Sequence, residues 1–89
     1  MKTVWKFPFE VTDIVEIKMP FGAVPLHVAV QDGTPFIWAL VEEQAPKVIR
    51  CFRVSGTGHI LPATIGRYIG SFMCMGGVLV YHVFEWEAR

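Results

Sequence analysis

The dipeptide Asp32-Gly33 lies between two apolar runs, and it constrains the chain more than any other local feature. Asp-Gly in a two-residue loop supplies the positive φ angles that a tight hairpin requires. Before it, Val24, Leu26, Val28 and Val30 share one face of an extended segment, and Gln31-Asp32-Gly33-Thr34 closes the turn. The return run, Pro35-Phe36-Ile37-Trp38-Ala39-Leu40-Val41, is apolar on both faces. Such a strand is expected to be covered on both sides, by a second layer or by a partner chain.

The same period of two recurs along the chain. Residues 3–11 place Trp5, Phe7, Phe9 and Val11 on one face, with Lys6 and Glu10 opposite. Pro8 has no amide to donate, which marks an edge strand. Val15, Ile17 and Met19 alternate with Glu16 and Lys18 until Pro20 and Gly22 end the run. Glu42-Glu43-Gln44-Ala45-Pro46 reads as a polar turn, and Lys47 to Ser55 as a further strand. Arg50 and Arg53 fall three apart there and so on opposite faces, a pattern that a bulge between them would reconcile. Residues 55–67 show no clean period and read as the one long loop, with room for a helical turn. Tyr68 to Met75, a Gly76-Gly77 turn and Val78 to Trp86 form a second hairpin. The expected fold is all-β: a single domain over residues 1–89, a small antiparallel β-sandwich or barrel of about seven strands with little or no helix.

Composition narrows the function classes. With 53% hydrophobic and 18% charged residues, the chain is too apolar for a disordered tail. Eight basic residues balance eight acidic ones, which argues against bulk nucleic-acid binding. The longest uncharged stretch, Tyr68 to Phe84, carries paired glycines and a histidine and falls short of a spanning helix, so no membrane association is expected. Met1 to Lys6 lacks the apolar run of an export signal, which points to a reducing cytoplasm. Cys51 and Cys74 then read as buried free thiols. A chain this short buries only about 60–65% of its unfolded surface, and a leftover apolar face favours a homo-oligomer.

Few residues offer chemistry. In Ser55-Gly56-Thr57-Gly58-His59 the glycines could let backbone amides converge on an anion, with Arg67 assisting if the fold brings it near. No Lys follows and Pro62 lies just beyond, so a phosphate loop opening a helix is not expected. A strand-ending turn in which Thr57 and His59 bond locally is the plainer reading. His27, His59, His82, Cys51 and Cys74 lack the close pairing of metal ligands, and no metal or other cofactor is expected. No nucleophile elbow or pair of catalytic acids appears, and Glu42, Glu43, Glu85 and Glu87 read as solvated turn and terminal residues. The expectation is a protein without enzymatic activity. Trp5, Phe21 and Trp86 are the aromatics expected at the surface, and with Arg50 and Arg53 they compose a candidate protein-interaction surface.

Taken in order, Lys6-Phe7-Pro8-Phe9, Met19-Pro20-Phe21-Gly22-Ala23, Asp32-Gly33-Thr34-Pro35 before Trp38-Ala39-Leu40-Val41, Phe52-Arg53 before Gly56-Thr57-Gly58-His59, Tyr68-Ile69-Gly70-Ser71-Phe72 and Gly76 to Glu85 carry a likeness. Over about residues 3–85 the chain resembles a family of small bacteriophage and prophage proteins, a domain of unknown function. The resemblance implies a phage origin and work in the host bacterial cytoplasm, and it brings no catalytic residues. Three functions follow as expectations. One is an accessory protein that binds and inhibits a host protein, such as a defence component. Another is a sponge for a nucleotide second messenger, using Ser55 to His59 and Arg67. A third is a structural or assembly component of the virion.

Overall fold

A computed structural model describes residues 1–86. Glu87, read above as a solvated terminal residue, lies outside them. Seven strands follow one another: β1 (Lys2–Pro8), β2 (Ile14–Pro20), β3 (Val24–Gln31), β4 (Thr34–Glu42), β5 (Lys47–Gly56), β6 (Ile65–Cys74) and β7 (Leu79–Trp86). A single 3-10 turn, Met75–Gly77, joins β6 to β7. All pairings are antiparallel. One sheet has the order β1-β4-β3 and the other β2-β5-β7-β6, so the fold is a two-layer sandwich rather than a closed barrel.

The period of two sorts each strand into an inner and an outer face. Val15, Ile17 and Met19 of β2, Ile37, Ala39 and Val41 of β4, Phe52 and Val54 of β5, Phe72 of β6 and Val83 of β7 meet between the layers. Phe52, Met19, Ile37 and Val83 are fully buried, each stabilising the fold by about 1.5–3 kcal/mol relative to exposure. Asp32 and Gly33 adopt φ of 51° and 80°, the backbone that their hairpin demands. β1 is an edge strand, as its proline requires.

Several local expectations are corrected. β5 holds an unbroken register with β2 from Ile14↔Arg53 to Pro20↔Lys47, so no bulge separates Arg50 from Arg53. The irregularities lie instead in β3, between Pro25 and His27, and in β6, around Tyr68. The β3 bulge breaks the alternation, so Pro25 and Val28 are buried while Val24 and Leu26 are exposed. β4 shows a half-buried outer face of Phe36, Trp38 and Leu40 that no second layer of the described residues covers. Lys6 over Phe36 and His27 against Trp38 shield it only partly. β5 runs on to Gly56 and β6 begins at Ile65, which shortens the long loop to residues 57–64. Cys51 and Cys74 are free thiols, but both are partly exposed rather than buried.

The two long sides of the sandwich differ. On one side β3 packs against β6, where a Cβ at Gly70 would come into ordinary contact with Val28. Arg50 and Arg67 reinforce this side by donating to the carbonyls of Ala23 and Pro25, at 2.9 and 2.5 Å. On the other side, between β2 and the ends of β1 and β4, an open groove of about 640 Å³ remains.

Candidate functional site

The outer face of the four-stranded sheet gathers Arg53, Tyr68, His82, Phe84 and Trp86. The ladder sets Arg53 of β5 beside Phe84 of β7, and Phe84 beside Tyr68 of β6. Two residues further along, Ser55 pairs with His82. The Arg53 guanidinium stacks over the Trp86 ring at 5.5 Å, and the Trp86 indole N–H donates to Thr64 Oγ1 at 2.8 Å. Tyr68 meets Phe84 edge to face at 5.1 Å. The stacking leaves Arg53 Nε shielded from solvent with no acceptor among the described residues.

His82 organises the upper part of this face. Thr57 Oγ1 lies 2.7 Å from its Nε2 and the Tyr68 hydroxyl 3.1 Å from its Nδ1. Both partners are hydroxyls, able to donate or accept, so either tautomer of the ring is satisfied. Sequence reasoning missed this cluster. The signal available is the alternation in β7, which puts His82, Phe84 and Trp86 on one face.

The Ser55 to His59 segment forms a strand end and a turn. Thr57 N–H donates to the Val80 carbonyl at 3.2 Å and His59 N–H to the Gly56 carbonyl at 3.1 Å. Two of the amides that an anion nest would use are therefore committed. Gly58 takes φ of 88° to make the turn, and the His59 ring lies over Gly56, 3.2 Å from where a Cβ would stand. Ser55 is buried. Arg67 does not join this loop. Its neighbour Tyr68 leans outward to His82, whereas Arg67 turns to the Pro25 carbonyl and lies 3.6 Å from Glu85.

The remaining interaction candidates scatter. Trp5 is half-buried at the margin of the core, with Lys47 over its ring at 6.0 Å, and not the exposed aromatic expected. Trp86 is likewise only half-exposed, because Arg53 covers its ring. Phe21 stands 67% exposed on the β2–β3 turn. Arg50 faces inward and pairs with Glu85 at 2.7 Å. Glu85 is therefore an ion-pair partner and not the solvated terminal residue expected. Arg50, Arg67 and Glu85 line a notch of about 730 Å³ that opens beside Trp86, the last described residue. No group of three or more metal-ligating side chains occurs among the described residues, and no helix among them is long and apolar enough to cross a membrane.

Sandwich, hairpins and aromatic outer face together define a small β-sandwich domain with an aromatic sheet surface that carries Arg53. The chain belongs to a family described as a domain of unknown function, DUF7352, whose model matches residues 1–89. No curated protein and no solved structure matches it.

Proposed function

We propose that this domain is a phage-encoded accessory protein that acts without catalysis, in the host cytoplasm, by binding and inhibiting a host protein of the defence class. The observation that carries the reading is the Arg53–Trp86 stack with Tyr68 and Phe84 beside it. Trp, Tyr and Arg dominate interface hot spots because they bury large area and keep a polar handle. A sheet face also holds them rigidly, which lowers the entropy lost on binding. The likeness to small phage and prophage proteins supplies the biological setting.

A second reading, sequestration of a nucleotide-like small molecule, has one observation in its favour. Among the described residues the notch of about 730 Å³ carries two guanidiniums against the single carboxylate of Glu85, and its size falls in the range of about 300–1,000 Å³ usual for ligand pockets.

The test is affinity purification from infected host extract followed by native mass spectrometry, with wild type beside Arg53→Ala and Trp86→Ala. A host protein at fixed stoichiometry, lost from both folded variants, is the expected result. Undiminished capture by both variants would sink the reading, and a co-purifying nucleotide mass would favour the second.

A further inference from the structure

We propose that β2 is a self-association edge: two copies of this chain pair their β2 strands antiparallel about a two-fold axis at Ile17, joining two four-stranded sheets into one of eight. The proposal stands apart from the partner-binding reading, since it uses the backbone edge of β2 and not the Arg53–Trp86 face.

The backbone supplies the first argument. Among the described residues β2 ends its sheet and pairs only with β5. In an antiparallel ladder the N–H and C=O of one residue point to the same side, and successive residues alternate. Val54 N–H donates to the Asp13 carbonyl at 3.0 Å, and Phe21 N–H to the Pro46 carbonyl at 2.7 Å. With the register unbroken between those points, the odd-numbered residues of β2 face β5. Ile14, Glu16 and Lys18 therefore present their backbone groups at the free edge.

Parity and charge then select one register. Pairing about the two-fold must set even-numbered residues opposite even-numbered residues, so the axis passes through a single residue. An axis at Glu16 opposes two glutamates, and one at Lys18 opposes two lysines. Axes at Val15 or Met19 leave each charge facing an uncharged residue. At Ile17, the middle of the seven-residue strand, each Glu16 faces Lys18 of the second copy. The paired residues exchange four backbone hydrogen bonds, and their side chains carry complementary charge on the outer face. On the inner face Val15 comes opposite Met19 of the second copy.

The other free edge of this side behaves differently. Just past β1, and in its register, Phe9 N–H donates to the Pro35 carbonyl at 3.1 Å, which by the same alternation turns Lys2, Val4, Lys6 and Pro8 outward. Lysines and proline are the usual guards of a strand edge, and no register of β1 with itself opposes unlike charges. β2 keeps its proline, Pro20, at the very end, and its two edge charges are of opposite sign. The open groove of about 640 Å³ lies directly beside it.

Sedimentation equilibrium of the full chain tests this. Wild type is expected to approach twice the 10.1 kDa chain mass as concentration rises. Glu16→Lys and Lys18→Glu, each at an exposed side chain and each with an unchanged circular dichroism spectrum, are expected to weaken self-association by about tenfold. An equimolar mixture of the two variants restores it, because one chain then carries lysine at both positions and the other carries glutamate at both. A wild type monomeric at every concentration, single variants that associate as wild type does, or a mixture that fails to recover would each overturn the proposal.

Discussion

The Arg50 guanidinium meets the Glu85 carboxylate at 2.7 Å on the inner side of the four-stranded sheet, and the same arginine donates to the Ala23 carbonyl, where the chain crosses to β3 of the opposite layer. Both side chains are about three-quarters shielded from solvent. Glu85 also lies 3.6 Å from Arg67, so one carboxylate answers two cations. Glu85→Ala strands both, and is expected to cost about 1–3 kcal/mol in urea unfolding. Arg67→Ala is expected to cost less than about 1 kcal/mol, because Arg67 is half exposed.

Gly66 and Gly70 make a contrasting pair within β6. A Cβ at Gly66 would stand 2.7 Å from the Glu85 carbonyl oxygen, a backbone atom fixed in the ladder. A Cβ at Gly70 would meet Val28 at an ordinary 3.5 Å. Gly66→Ala is expected to destabilise by about 1–3 kcal/mol, and Gly70→Ala to leave the melting temperature close to that of wild type.

Little of this interior polar device is legible in the sequence. The Asp32-Gly33 hairpin, the β2 alternation and the Pro8 edge are readable because each depends on neighbours within a few residues. The β3 bulge is not, because it reflects the fit of Pro25 and Val28 to the facing sheet. Arg50 and Arg53 suggest a bulge only because an inward arginine looks like an error until Glu85, 35 residues away, is placed beside it. Glycine and proline between Ser55 and Arg67 hide two strand ends. The candidate site divides in the same way. The Arg53–Trp86 stack joins two residues that the sequence singles out, whereas the bonding of His82 to Thr57 and Tyr68 depends on registers across three strands.

Acid should loosen the contact between the chain's start and β4. A hydrogen bond from the Met1 ammonium, 2.6 Å away, holds the Glu42 carboxyl below the usual carboxylate range. A lowered native pKa favours the folded state above the unfolded-chain pKa, and that contribution disappears as pH falls through the native value. Carboxyl-carbon NMR titration is expected to show Glu42 with a midpoint below the usual carboxylate range. A chain extended ahead of Met1, and so lacking that ammonium, is expected to return it to the ordinary range.

Tyr68→Phe removes the hydroxyl at Nδ1 of His82 while keeping the ring against Phe84. Among the described residues the Thr57 bond to Nε2 is then the single remaining hydrogen bond of the imidazole, and the loss in global stability is expected to stay within about 1 kcal/mol. Hydrogen exchange is the sharper readout, with amides of residues 57–64 expected to exchange faster while those of β5 and β7 are unchanged.

The fastening of β3 to β6 has a consequence for how the domain distributes perturbation. A book bound along one margin transmits a tug between its covers only through the spine. Here the spine is Gly70 against Val28 together with the arginines that reach Ala23 and Pro25. Substitutions of those two arginines are felt by both layers at once, so they couple to distant sites across the sandwich. Along the opposite margin the open groove keeps the edges of β1 and β2 apart, which leaves the exposed side chains of the β1–β2 side as the place where this fold can tolerate change.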